Sequence, residues 1–362
     1  MGLKILHIAP FNIAGVPITF VNAERKMGHY SRLITLGKDP RNYEEDICLE
    51  LPFLNFWGTQ LAKQLFSDPS KLSISNLSKT PSAQPLYWEP RGRTEAALVS
   101  FRERIWNRRI NTVLEEIRFW EFDVYQLDGG LEFFRDGRTV KRLKELGKKI
   151  ICCYTGSDLR TRGLIREIDA ASDLNITLEF DHLKLHSHIH HVFFPFTADG
   201  YQVRPEPGAT TINIGHAPTN RQAKGSDDII AAVQALQHDF PVELVLIENL
   251  PHREAIRLKA QCHIFVDQIG DLGYGINSLE ALAMGIPTCS CLAGGFAERY
   301  PEHPFVVIDA GNIKAKLTEL IGDAKLRKQK GVYGRSWVQH NHDSRQVVKA
   351  IHELANLTRD RC

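Results

Sequence analysis

The sequence has 362 residues, 43% hydrophobic and 24% charged, with 45 basic against 43 acidic side chains for a net charge of +2. That length allows two globular domains, each with its own core. The near-neutral balance excludes a bulk pull toward nucleic acid. The seven cysteines follow no regular spacing, which fits the reduced thiols of a cytoplasmic protein rather than a disulfide framework. No apolar run is long enough to span a bilayer, and the apolar opening is broken by Pro10 and Pro17.

In chain order, LKILHI (3–8) predicts a short buried strand, followed by a loop with Gly15 and Pro17 and an amphipathic helix through Met27. SRLITL (31–36) predicts the next strand. From about 40 to 94 the chain is rich in Ser, Pro and Asn and reads as long loops with short helices; within it LNFWGTQLAKQLF (54–66) is a candidate lid over an acceptor. FRERIWNRRINTVLEEI (101–117) is a basic amphipathic helix pattern. It either packs its apolar face on a domain or rests on an anionic membrane. DVYQL (123–127), KIICCY (149–154) and LNIT (174–177) predict further strands, and HHVFFPF (190–196) a last one in this half. The histidines of HLKLHSHIHHVFF, 182 to 191, either line one strand face as metal ligands or mark a polar strand edge; the edge is the plainer reading, and no metal site is assigned.

YQVRPEPG (201–208) reads as a linker, after which the alternation restarts. Strands are expected at TINIG (211–215), VELVLI (242–247), HIFVD (263–267), PTCS (287–290) and FVVI (305–308), with helices between them and over most of the last fifty or so residues. Apolar strands alternating with helices imply an α/β protein: parallel sheets covered on both faces. Two such halves imply two doubly wound, Rossmann-like domains with an interdomain cleft, and ligands at the carboxyl ends of the strands.

The richest stretch for chemistry is GYGINSLEALAMGIP (273–287). Gly273 and Gly275 let the backbone approach a ligand, and the helix beginning near Ile276 and Asn277 has unpaired N–H groups that suit phosphate. Glu280, just inside that helix, is a carboxylate suited to a ribose diol. The plainer alternative is a helix packed on a sheet after a tight loop, with Glu280 on a solvated face.

This stretch resembles the nucleotide-sugar signature of retaining glycosyltransferases of the GT-B group called family 4: Glu-Gly-Phe-Gly, four residues, Glu-Ala-Met-Ala, Gly-x-Pro. It departs at the leading acid, which is Leu272 here, with Asp271 or Asp267 as substitutes for the sugar contact. The resemblance gives Glu280 the ribose, and gives Gly273, Tyr274, Gly275, Ile276 and Asn277 the phosphate and sugar. HAPTNRQAKGSDDIIAAVQAL (216–236) resembles the loop and helix that open the family's C-terminal domain, where an Arg and a Lys grip the diphosphate. His216, Arg221 and Lys224 fall there, with two residues between the last pair where the family has four. APFNIAGVPITFV (9–21) resembles the first glycine loop, with Gly15 as the matching residue. YTGSDLRTRG (154–163) resembles the family's HGSDxR segment, which would place Asp158 and Arg160 in the cleft, with Asp158 orienting the acceptor or taking its proton; capping of the next helix is the alternative for Asp158. The resemblance covers 211–345 closely, 1–36 and 120–196 more loosely, and 40–118 not at all.

The resemblance implies an acceptor-side domain over 1–200, a nucleotide-sugar domain over 201–342, and a helix over 343–362 that crosses back to the first. It implies transfer of a sugar from a nucleotide-diphosphate donor to a hydroxyl of a glycan, lipid-linked or protein acceptor. The anomeric configuration is retained and no metal or other cofactor is required. The leaving phosphate takes the acceptor proton, and Lys224 and Arg221 stabilise its charge. The expected location is cytoplasmic, with peripheral contact on the inner membrane face as an option carried by the basic helix. Two alternatives stay open: a nucleotide-sugar epimerase of the same fold, and a non-catalytic binding protein that kept it. No Asp-x-Asp triplet, no phosphate-loop GxxxxGK[ST] and no complete GxGxxG occurs where metal-dependent transferases, nucleotide triphosphatases or dehydrogenases need them.

Overall fold

The computed structural model describes residues 2–39, 41, 43–54, 85–203, 210–270 and 272–357. The chain forms two compact units, Met1–Val192 with Val348–Cys362, and Phe193–Val347. The candidate lid, apart from Leu54, most of the 201–208 stretch, and Asp271 lie outside the described residues. Among the described residues no disulfide forms, and no helix is long and apolar enough to cross a membrane.

The first unit is built on strands β1 (Lys4–Ala9), β2 (Tyr30–Thr35), β3 (Ile47–Cys48), β4 (Val124–Asp128), β5 (Lys149–Tyr154), β6 (Leu174–Thr177) and β7 (His190–His191). They pair in the order β3-β2-β1-β4-β5-β6-β7, every pair parallel. The central strands are apolar on both faces because helices cover both, so Ile5, Leu6, Ile8, Leu127 and Ile150 are all buried. Helix α1 (Val16–Lys26) follows β1, and α2 (Arg93–Glu116) precedes β4. The basic helix pattern therefore begins earlier than its hydrophobic period suggests. Its Trp106, Ile110, Val113 and Leu114 are part of the unit's core, while Leu98 and Phe101 are exposed.

Charge is buried beside this apolar sheet. His7 on β1 contacts Glu24 of α1 at 2.9 Å and Asp128 at the end of β4 at 3.6 Å, and Glu24 also accepts from Ser31 at 2.6 Å. His352, near the end of the chain, reaches the other oxygen of Glu24 at 3.6 Å. Burial alone would lower the pKa of His7, but the two carboxylates outweigh it and raise it to about 10.

The second unit has β8 (Ile212–His216), β9 (Val242–Leu246), β10 (Ile264–Gln268), β11 (Thr288–Ser290) and β12 (Val306–Val307), parallel throughout, in the order β12-β11-β10-β8-β9. Its helices include α3 (Arg221–Lys224), α4 (Ser226–Leu236), α5 (His252–Lys259), α6 (Ile276–Ala283), α7 (Ile313–Gly322) and α8 (Ala324–Asn341). The Gly-x-Pro that ends the signature has a local cause. Gly285 stands just past α6 at φ +75°, the left-handed turn that stops a helix. Against it runs α8, where a Cβ on Gly331 would overlap the Gly285 carbonyl group.

Gly331→Ala is thus expected to destabilise. Helix propensity would add ~1 kcal/mol, whereas forcing backbone from backbone costs about 3 kcal/mol. A net loss of about 2 kcal/mol should appear in urea unfolding of the second unit. In the first unit the raised pKa of His7 fixes a sign. Its contribution is full below the unfolded value of 6.5 and is lost as pH rises through about 10. Stability measured from pH 6.5 to 10 should therefore fall, and His7→Gln should flatten that fall.

Candidate functional site

In the second unit the signature residues gather on one buried carboxylate. Asp267, the penultimate residue of β10, has its side chain closed off from solvent. One oxygen pairs with Lys224 Nζ at 2.7 Å; the other accepts from Ser278 Oγ at 2.6 Å and the Gly275 amide at 3.2 Å. Burial would raise its pKa, but Lys224 and the hydrogen bonds hold it below the usual aspartate value. Both oxygens of Asp267, one of the two residues that could replace the missing sugar-contacting acid, are thus engaged inside the unit. Leu272 occupies the acid's place in the sequence, and Asp271 lies outside the described residues.

Lys224 closes the one-turn helix α3, whose first residue is Arg221. Asn220 caps that helix by accepting from the Ala223 amide at 3.0 Å. Three positions apart, the two cations rise from the same turn. Lys224 is mostly buried, whereas Arg221 is half exposed and grips Glu248 through two bonds at 2.6 and 2.8 Å. Helix α6 begins at the Gly275 that Asp267 holds. The amides of Ser278 and Leu279 already bond the Gly275 carbonyl, leaving those of Ile276 and Asn277 at the positive end of the helix. Gly273 sits at φ +78° and its carbonyl accepts from Gln268 Nε2. Tyr274 turns its ring inward to stack on Phe305 at 4.6 Å, and its hydroxyl meets His342 at 3.3 Å.

Glu280 is not on a solvated face. It is 3% exposed, with Lys259 Nζ at 2.5 Å on one oxygen and His252 Nε2 at 2.6 Å on the other. Lys259, at the end of α5, is fully buried; its ammonium also bonds Asn277 Oδ1 at 2.8 Å and lies 5.0 Å from the Phe265 ring centre. Burial would raise the pKa of Glu280, but Lys259 and His252 prevail and lower it. Neither Lys259 nor His252 carried a sequence signal: the first reads as the basic last turn of an amphipathic helix, the second as its polar start. His216 lies inside as well. Its Nδ1 bonds the Val266 carbonyl and its Nε2 the Ser226 hydroxyl, each at 2.8 Å, so no ring nitrogen remains for a ligand. Burial lowers its pKa, in keeping with a neutral imidazole tying β8, β10 and α4 together.

In the first unit, Gly15 starts α1 at φ +68°, and a Cβ there would press on the Tyr43 ring at 3.0 Å, so the turn itself requires glycine. Asp158 follows β5. It accepts from the Thr155 amide at 2.9 Å, behind it in the chain, and lies 3.5 Å from Arg162, so it does not cap a following helix. Burial raises its pKa. Arg160 is turned into the unit and saturated by Asp181 at 2.5 and 2.7 Å, Glu179 at 3.0 Å and the Gly156 carbonyl. The histidine run is not one strand face. His182 bonds Thr177 and Gly156, His186 bonds Asp169, only His190 and His191 are in β7, and no metal-holding group occurs among the described residues.

No protein-family model matches the sequence, and no curated protein matches it. Solved structures do. The catalytic domain of starch synthase IV from Arabidopsis thaliana, bound to ADP and acarbose, aligns with TM-score 0.65 at 12% identity over 100% of both chains. Sucrose-phosphate synthase from Thermosynechococcus elongatus aligns with TM-score 0.63 at 12% identity over 98% of each. HepE of Anabaena in complex with UDP-glucose aligns with TM-score 0.58 at 10% identity over 98% of this chain and 100% of that one.

Lys259→Met leaves Glu280 buried without its cation and is expected to cost about 3–5 kcal/mol in neutral urea unfolding. The Glu280 pKa lies below the unfolded value of 4.5, so pairing contributes above that pH and is lost as pH falls through the folded value. The deficit should shrink on acidification, and Lys259→Met with Glu280→Gln should recover most of it. In fold, the chain is a GT-B protein of two parallel α/β domains, similar to these glycosyltransferases.

Proposed function

We propose that this protein is a glycosyltransferase that moves a sugar from a nucleotide-diphosphate donor to a hydroxyl acceptor, with retention and without a metal. The observation that carries the reading is the Asp267 junction. It ties a cation, Lys224, to the amide end of α6 through a single carboxylate. A diphosphate is the ligand such a pair of positive features suits, since both the ammonium and the free amides stabilise phosphate oxygens. Lys224 then takes the leaving phosphate and Arg221 supports it from the same turn, after giving up part of its grip on Glu248. The backbone of Gly273, Tyr274, Gly275, Ile276 and Asn277 holds phosphate and sugar. Glu280 receives the ribose on its remaining lone pairs, oriented by Lys259 and His252. The family resemblance assigns Gly15 to the donor phosphates and Asp158 to orienting the acceptor. As the bond from sugar to phosphate oxygen breaks, the new glycosidic bond forms and the acceptor proton passes to the departing phosphate. Solved structures of the same fold named as complexes with ADP or UDP-glucose support the donor class.

One observation favours a second reading, binding without turnover: Leu272 stands where the family has an acid, and both oxygens of Glu280 already carry a partner.

The test is thermal stability against UDP-, GDP-, ADP-, dTDP- and CMP-sugars without metal. At ~100 times its dissociation constant a donor adds about 2.7 kcal/mol, a rise of roughly 2 °C for a chain this long. Lys224→Ala alone strands Asp267 in the interior, so Lys224→Ala with Asp267→Asn is the control that removes both charges. A shift with one nucleotide class, absent in the double variant, supports the donor site; no shift with any donor overturns it. A shift with no product or hydrolysis in acceptor screens selects binding without turnover.

A further inference from the structure

The first unit holds two arginines that the reading above does not use. Arg135 lies in the segment after β4, and Arg102 on α2. Among the described residues neither guanidinium forms an ion pair. The Nη1 atom of Arg135 and the Nε atom of Arg102 are closed off from solvent and have no hydrogen-bond partner. The nearby carboxylates are already engaged. Glu103 accepts from the Arg135 main-chain amide at 2.7 Å and from Arg138 at 3.2 Å. Asp136 takes Arg138 at 2.9 Å, and Asp158 takes Thr155 and lies 3.5 Å from Arg162. Burial, then repulsion from Arg162 and Arg102, lowers the pKa of Arg135, and the weaker attraction of Glu103 and Asp158 does not offset them.

Aromatic rings hold both side chains by their faces. The Arg135 guanidinium carbon lies 5.1 Å from the Trp88 ring centre, and that of Arg102 lies 4.3 Å from the ring centre of Trp106. Stacking satisfies the plane of a guanidinium and leaves its in-plane N–H donors unused. Buried donors without acceptors are costly, and guanidiniums held this way match the oxygens of phosphate or carboxylate. The segments carrying Arg135 and Arg162 leave the carboxyl ends of β4 and β5, the end of a parallel sheet where ligands bind.

We propose that Arg102 and Arg135 form an oxyanion-binding site in the first unit, which takes the phosphate or carboxylate group of a small-molecule ligand. The site stands on the first unit's own charges and does not depend on the donor reading.

Isothermal titration calorimetry of the full chain at fixed ionic strength tests it, with inorganic phosphate, glucose 6-phosphate and glucuronate as probes and glucose as the uncharged control. The expected result is saturable binding of at least one oxyanion and none of glucose. Binding of phosphate and glucose 6-phosphate names a phosphate ligand; binding of glucuronate alone names a carboxylate. Arg135→Met should weaken that binding tenfold or more. Its melting temperature without anion should hold or rise, because an uncompensated charge has gone; a structural arginine would lower it. Arg102→Met is the second variant should the first misfold. Silence of all three anions overturns the proposal, as does equal affinity in the folded variants.

Discussion

The second unit is organised by one interior carboxylate. Asp267 cannot be solvated, so it must be surrounded by donors, and the chain supplies them from two separate elements: Lys224 from α3, and Gly275 and Ser278 from the start of α6. The strand end, the cation and the amide end of the helix are thereby held in one arrangement without any ligand. A second carboxylate works the same way half a helix further on, where Glu280 gathers Lys259 and His252. Lys259 also holds Asn277, so the two clusters share the first turns of α6. Preorganisation of this kind is what lets polar groups act on a ligand without first reorganising themselves.

Much of the fold was legible in the sequence, for a physical reason. Strands of a parallel sheet covered on both faces read as unbroken apolar runs, and KIICCY and LNIT coincide with β5 and β6. The two-residue β3 was hidden in a polar segment, since so short an edge strand has no period to detect. Gly285 and Gly15 were legible because left-handed backbone at a helix end selects for glycine whatever surrounds it.

The site was only partly legible, and the misses share a cause. His216 stands at a strand end before a cationic loop and reads as a ligand; its partners, Ser226 and Val266, lie 10 and 50 residues away, and no local pattern announces them. Arg160 beside Asp158 likewise looks like site chemistry until Glu179 and Asp181 fold back onto it. Lys259 was missed in the opposite sense, a buried cation written as an ordinary helix end. In each case pattern gives the residue type, whereas role depends on which long-range partner saturates it.

The contact between His352 and Glu24 has a consequence for how the molecule is made. Glu24 belongs to helix α1, yet one of its partners, His352, is translated only after the whole of Phe193–Val347. A nascent first unit leaving the ribosome therefore carries a buried acid whose coordination is incomplete. Its closure waits on synthesis of the entire second unit, so the N-terminal sheet, though begun first, is completed only after that unit has been made.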